Sequence, residues 1–347
     1  MTTIEILRVD PFDDVAFDAW HATQFAADRF GREEHATPWM LEESRVDKQS
    51  TLKGRDTLTY SLLVDGAVAT AAEVWLPLLD NLDLAEVVIH THPEHRRRGY
   101  AARMLAHLED EMRVIGRSKL ITEAAYPYDA PPDGSGHPGP DFLTSQGFTF
   151  GLADVKRVVS LPIADEILAG LLDEAAPHHT AYSLVSCVGR LPDEHVQAYA
   201  ELDAAIVTDA PMGELDLETP AADVEDIRDN EALMARQHRR RYTTLAIAPD
   251  GTAVAYSDLV MPEEDPGKVY QWGTLVRSDH RGHRLGLAVK AANLRFLQSQ
   301  RSDARLLSTY NAEVNAHMIA VNDRMGFQPV ERLGEFQKRL TDVGLTR

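Results

Sequence analysis

The strongest constraint on the fold is that the sequence repeats itself. Pro93-Glu94-His95-Arg96-Arg97-Arg98-Gly99-Tyr100-Ala101 echoes Ser278-Asp279-His280-Arg281-Gly282-His283-Arg284-Leu285-Gly286, and His95 and His280 lie 185 positions apart. Upstream, Asp65-Gly66 and Asp250-Gly251 are separated by the same 185 residues; downstream, Gly147-Phe148 and Gly326-Phe327 are 179 apart. Three landmarks in one order at nearly one offset describe a tandem duplication. A length of 347 residues suits two domains. They are expected at 1–161 and 181–347, with a connector over 162–180 that carries Pro162 and Pro177.

Each half reads alike. Tyr60–Val64 and Val68–Trp75 flank Asp65-Gly66, and Thr244–Ala248 and Ala253–Leu259 flank Asp250-Gly251, the pattern of a two-residue hairpin. A strand follows in each half (85–90; 270–276), then an arginine-rich turn and an amphipathic helix (99–115; 285–300). A further strand (119–124; 305–309), a short helix ending at Gly-Phe and a closing strand (155–161; 335–340) complete the copy. Helical segments over 13–30 and 193–207 precede the hairpins. The run 131–140, rich in Pro and Gly, belongs to the first half alone and reads as a flexible loop excursion, with a substrate lid as the alternative.

The net charge of -20 argues against nucleic acid or an anionic membrane as partner, because both need a basic field. No stretch has the ~18 consecutive apolar residues of a membrane span. The start Met1-Thr2-Thr3-Ile4-Glu5 lacks the pattern of a signal peptide, so the chain is expected to be cytoplasmic. Cys187, the single cysteine, sits in an apolar run and reads as a structural thiol.

A strand feeding an Arg/Gly turn and then a helix has a chemical use. The first helical turn leaves N–H groups unpaired and carries partial positive charge, which favours phosphate. Gly99, Ala101, Gly282 and Gly286 allow close approach of the main chain, and Arg96, Arg97, Arg98, Arg281 and Arg284 add charge-assisted bonds. Neither turn is a Walker loop or a dinucleotide fingerprint.

The turns resemble the coenzyme A loop of the Gcn5-related N-acetyltransferase (GNAT) family, [Q/R]-x-x-G-x-[G/A]. Arg96-Arg97-Arg98-Gly99-Tyr100-Ala101 fits in full; Arg281-Gly282-His283-Arg284-Leu285-Gly286 fits at both ends, with Arg284 in place of the middle glycine. Nearly the whole chain is similar to the tandem type that includes mycothiol synthase. The resemblance implies an α/β fold: two tandem copies of a mixed, mostly antiparallel sheet with a parallel splayed strand pair, flanked by helices. It also implies acetyl-coenzyme A as cosubstrate, lying in the splay and pairing with Val88, Ile89 and His90 in one half and Leu275 and Val276 in the other. A neutral amine of a small molecule would attack the thioester directly, in a monomer or homodimer. A non-catalytic acyl-coenzyme A-binding protein and a peptide N-acetyltransferase are the alternative functions.

The family's second signature runs through Asn315 to Gly326-Phe327, so Asn315 is expected to contact the coenzyme. Asn322 stands where a tyrosine often protonates the departing thiolate. The first half has Leu143 there and no matching asparagine. The expectation is therefore that the second half catalyses and the first binds acyl-coenzyme A or supports the fold. A base must keep the amine neutral; Glu73 and Asp258, equivalent at the 185-residue offset, are candidates, with Tyr310, Glu86 and Glu123 behind them. His90, His92 and His95 find no further ligand at metal-binding spacing, so no metal is expected. His238-Arg239-Arg240-Arg241 reads as a helix C-cap or a cleft-facing patch.

Overall fold

The computed structural model of the chain describes residues 2–209 and 213–341. In chain order the elements are β1 (Ile4–Arg8), α1 (Asp14–Arg29), α2 (Leu41–Lys48), β2 (Arg55–Val64), β3 (Ala67–Pro77), β4 (Leu84–Thr91), α3 (Tyr100–Val114), β5 (Lys119–Pro127), α4 (Pro138–Ser145) and β6 (Thr149–Ser160). Then come α5 (Asp165–Ala175), β7 (Ser183–Val188), α6 (Val196–Asp209), α7 (Val224–Arg236), β8 (Arg239–Ile247), β9 (Ala253–Pro262), β10 (Lys268–Val276), α8 (Leu285–Gln300), β11 (Leu306–Ala312), α9 (Ala316–Arg324) and β12 (Gln328–Arg339). The hairpin turn at Asp65-Gly66 has φ of 51° and 85°, the left-handed pair that matches strand twist.

The chain divides into two compact units. The first comprises Met1–Tyr126, Ala130–Leu152 and Gly334–Arg347; the second comprises Pro127–Asp129 and Ala153–Leu333. Within the first, strands run β1-β2-β3-β4-β5, with the last part of β12 beside β5. Within the second they run β7-β8-β9-β10-β11-β6. The sixth strand of each sheet thus comes from the closing segment of the other half of the sequence. The domain boundaries expected at 161 and 181 do not coincide with the units for this reason. Tertiary packing and pairing hold the exchange: Phe336 and Leu340 join Met104, Leu105 and Leu108 of α3 in the first core, while β6 pairs along its length with β11, from Asp154↔Ala312 to Ser160↔Leu306. The expected connector is also folded. α5 contributes Leu168, Leu171 and Ala175 to the second core, against Leu294 and Leu297 of α8. The expected excursion over 131–140 runs into α4, which starts at Pro138.

Candidate active site

In the first unit the parallel pair β4/β5 is held by only three registers, Leu84↔Lys119, Ala85↔Leu120 and Glu86↔Ile121. Beyond Glu86 the strands part, so one edge of β4 over Val88, Ile89 and His90 has no β5 partner while the other still pairs with β3. A one-turn helix at Pro93–His95 then leads through Arg96, Arg97 and Arg98 to Gly99, which caps α3 with φ of 81°. That left-handed geometry costs glycine little and other residues about 1 kcal/mol. Arg96 is committed to the scaffold: Nη2 donates to the Ala27 carbonyl at 3.0 Å and its guanidinium lies 4.6 Å from the Phe30 ring centre. Arg97 and Arg98 are exposed at the start of α3, beside Tyr100 and Ala101. The expected coenzyme residues Val88, Ile89, His90 and Arg96–Ala101 are thus gathered on one strand end, one turn and one helix N-terminus.

Side chains on the α1-facing side of β4 carry the acid–base groups. Glu73 lies opposite Val88 and Trp75 opposite Glu86. Glu73 is buried; Lys48 Nζ bonds its Oε2 at 2.6 Å and Gln24 Nε2 donates to Oε1 at 3.1 Å. Lys48 also bonds Asp47 at 2.8 Å, and Arg55 bonds Asp47 at 2.6 Å. Burial opposes the Lys48 ammonium, but Glu73 and Asp47 outweigh it and hold its pKa above the ordinary value. Trp39 and Trp75 wall the cation at 6.0 and 5.3 Å. Glu73 is therefore already held by a cation and an amide. Glu86 is pushed up by burial, with Arg55 pulling it down. The His90 imidazole, half-buried, makes no hydrogen bond among the described residues; burial lowers its pKa, and Asp28 and Glu73 offset this only in part. A neutral imidazole beside the fork is suited to accept a proton. Sequence reasoning weighed His90 as a backbone partner of the coenzyme and as a metal ligand, not as a base; the alternation of β4 could have flagged its side chain for that role. Glu123 is exposed on β5.

The second unit has the same fork. β10 and β11 pair from Lys268↔Leu306 to Gln271↔Thr309 and then separate. Trp272 and Gly273 form a bulge against β9. A Cβ on Gly273 would stand 2.5 Å from Tyr256 Oη, so a side chain there is excluded by the tyrosine beneath. Asp258 is buried behind this bulge. Tyr199 Oη donates to its Oδ2 at 2.5 Å and Thr243 Oγ1 donates to Oδ1. Burial pushes its carboxyl up, although Arg241 pulls it down. Arg241 is itself paired with Glu231 at 2.6 Å, at the start of β8 rather than at a helix cap.

Leu275 and Val276 end β10, and Arg281–Gly286 lead into α8. Here the departures matter. Arg284 caps α8 with φ of 53° where the first unit has glycine, and its guanidinium is bound to Glu174, which also holds Arg324. A carboxylate thus occupies an arginine expected to receive phosphate. Arg281 Nε reaches the Val276 carbonyl at 3.4 Å; His283 Nδ1 lies 3.0 Å from the His178 carbonyl. Asn315 caps α9, accepting from Met318 N at 3.2 Å. Asn322 is wholly buried: Lys290 Nζ donates to its Oδ1, and its Nδ2 donates to Asn311 Oδ1 at 2.5 Å. Its amide is committed to the interior instead of being presented to a leaving group. Tyr310 is half-buried on β11 with the Lys156 ammonium 5.3 Å from its ring centre. Tyr199, Thr243, Lys48 and Lys290 were not legible as site residues, because their significance is a contact between segments distant in sequence.

Residues 19–129 match the model of the Acetyltransferase (GNAT) family. A tandem GNAT protein from the clavulanic acid biosynthesis pathway is 24% identical, with TM-score 0.77 over 98% of this chain and 99% of that one. The chain has the tandem GNAT fold. A Gcn5-related N-acetyltransferase from Sphaerobacter thermophilus is 14% identical, with TM-score 0.62 over 97% of this chain and 96% of its own. No curated protein matches the sequence. The matched family uses acetyl-coenzyme A as cosubstrate, and the matched segment holds the fork, the full loop and the acid–base row of the first unit. The second copy carries the fold with its loop cation already paired. No helix among the described residues is long and apolar enough to cross a membrane.

Proposed function

We propose that the chain is an acetyl-coenzyme A-dependent N-acetyltransferase acting on a primary amine of a small molecule, with the first unit as the catalytic one. This reverses the order expected from Asn315 and Asn322. The observation that carries it is the first unit's intact assembly: an unpaired β4 edge, exposed Arg97 and Arg98, and Gly99 opening α3, all within the segment matching the family.

The coenzyme's phosphates meet the unpaired N–H groups at the start of α3 and its pantetheine pairs with Val88–His90. The amine nitrogen attacks the thioester carbonyl, the C–N bond forms, the C–S bond breaks, and coenzyme A leaves as thiolate. A thiolate is a good leaving group at an unperturbed pKa of ~8.5, so Leu143 in the tyrosine position is tolerable. His90 takes the amine proton and passes it to solvent or to the thiolate. The lowered His90 pKa keeps this base neutral near pH 7, so turnover falls as pH drops through its value. Trp39 and Trp75, already lining a cation, favour an amine-bearing acceptor. The test is coenzyme A release with a panel of polyamines, aminoglycosides and amino-acid amides. Release with at least one amine supports the reading; tight acetyl-coenzyme A binding without release by any amine supports a binding or regulatory protein instead.

A further inference from the structure

Two of the second unit's buried cations, Arg157 and Lys290, have no carboxylate partner among the described residues. Arg157, on β6, is 5% exposed, and its Nε and Nη1 are buried without a hydrogen-bond partner. Lys290, on α8, is 1% exposed and is met only by the Asn322 amide oxygen and the Phe327 ring, 5.1 Å away. Neither forms an ion pair among the described residues.

Both lie on one face of the fork. Arg157 is opposite Thr309, and Thr309 pairs with Gln271, the last register before β10 and β11 part. Paired residues share a face, and residues two apart along a strand share it too. Leu307 and Val159 are on that face and pack in the core shared with α8 and α9. Asn311, two residues beyond Thr309, bonds Asn322 on α9, which in turn holds Lys290. The guanidinium therefore projects to the α8/α9 side of the sheet, at the mouth of the separation. Leaving such a group desolvated and unpaired is among the heaviest penalties a fold can carry. Burial alone drives the Lys290 pKa down to about 7, as expected where no anion is near.

We infer that the fork of the second unit binds a carboxylate-bearing ligand, with Arg157 as the residue that recognises the carboxylate. A planar guanidinium offers paired donors that match the two oxygens of that group. The carboxylate can come from the far end of a dicarboxylic acyl chain on coenzyme A or from a free amino or dicarboxylic acid. This goes beyond the catalytic reading of the first unit and does not require it.

The test is calorimetric titration of the full chain carrying Arg96→Ala, which disables the first unit's loop. Acetyl-, malonyl- and succinyl-coenzyme A form one arm; glutamate, succinate and glutamine form the other. In one arm, the probe with the extra carboxylate should bind roughly tenfold or more tighter than its neutral counterpart, the worth of a charge-assisted pair. Arg157→Met should abolish that gain while raising the melting temperature of the ligand-free protein, because an unanswered buried charge is removed. Arg157→Lys should keep only part of the gain, and decides the matter if the methionine variant does not fold. A carboxylate that adds nothing in either arm, or a gain that survives unchanged in the Arg157 variants, overturns the inference. Failure of the first unit as an enzyme would leave these results untouched, since its loop is already disabled.

Discussion

Replacing Lys290 with methionine should stabilise the second unit at low pH and lose that advantage at high pH. The lysine is fully buried and its pKa is lowered from 10.5 to about 7 by desolvation. A folded-state value below the unfolded one means the unfolded chain holds the proton more tightly. Stability is therefore withheld below pH 7 and regained as pH rises towards 10.5. The whole difference is about 5 kcal/mol, of which about 2–3 kcal/mol is regained between pH 6 and pH 9. Methionine removes this dependence but leaves Asn322 Oδ1 without its donor, a cost of about 1–3 kcal/mol. The net effect of Lys290→Met is then a gain of about 2–3 kcal/mol at pH 6 that vanishes near pH 9. Hydrogen exchange of α8 amides, compared between variant and wild type at each pH so that intrinsic rates cancel, reads this directly. A difference between the two proteins that stays constant from pH 6 to pH 9 would refute the reasoning.

Two further substitutions test the packing that shapes the forks. Gly273→Ala should destabilise the second unit by about 1–3 kcal/mol, because the new methyl meets the buried Tyr256 ring; adding Tyr256→Phe should recover part of that loss in urea denaturation. Lys48→Met should cost the first unit about 3–5 kcal/mol by leaving Glu73 and Asp47 short of a cation, and Glu73→Gln in the same background should restore part of it.

Repetition, hairpin turns and the strand–turn–helix were legible because each is written in local pattern. The Asp-Gly turns and the apolar runs around them fixed β2/β3 and β8/β9, and the 185-residue offset placed Glu73 opposite Val88 and Asp258 against the Trp272-Gly273 bulge. The strand exchange was not legible. The pattern of β6 and β12 says that each is a closing strand, but which sheet accepts it depends on packing partners far away in sequence. The site was half legible for the same reason. Arg96–Ala101 can be read from a motif. That Glu73 is occupied by Lys48, Arg284 by Glu174 and Asn322 by Lys290 is a matter of tertiary contact between segments distant in sequence.

Coenzyme A release by Arg96→Ala and Arg281→Ala, each assayed with an amine that the wild type acetylates, tests the central claim most directly. Arg96 anchors the first unit's loop to α1 through the Ala27 carbonyl, so its loss should abolish release while Arg281→Ala remains active. An active Arg96→Ala protein beside an inactive Arg281→Ala protein would place the chemistry in the second unit and contradict the account.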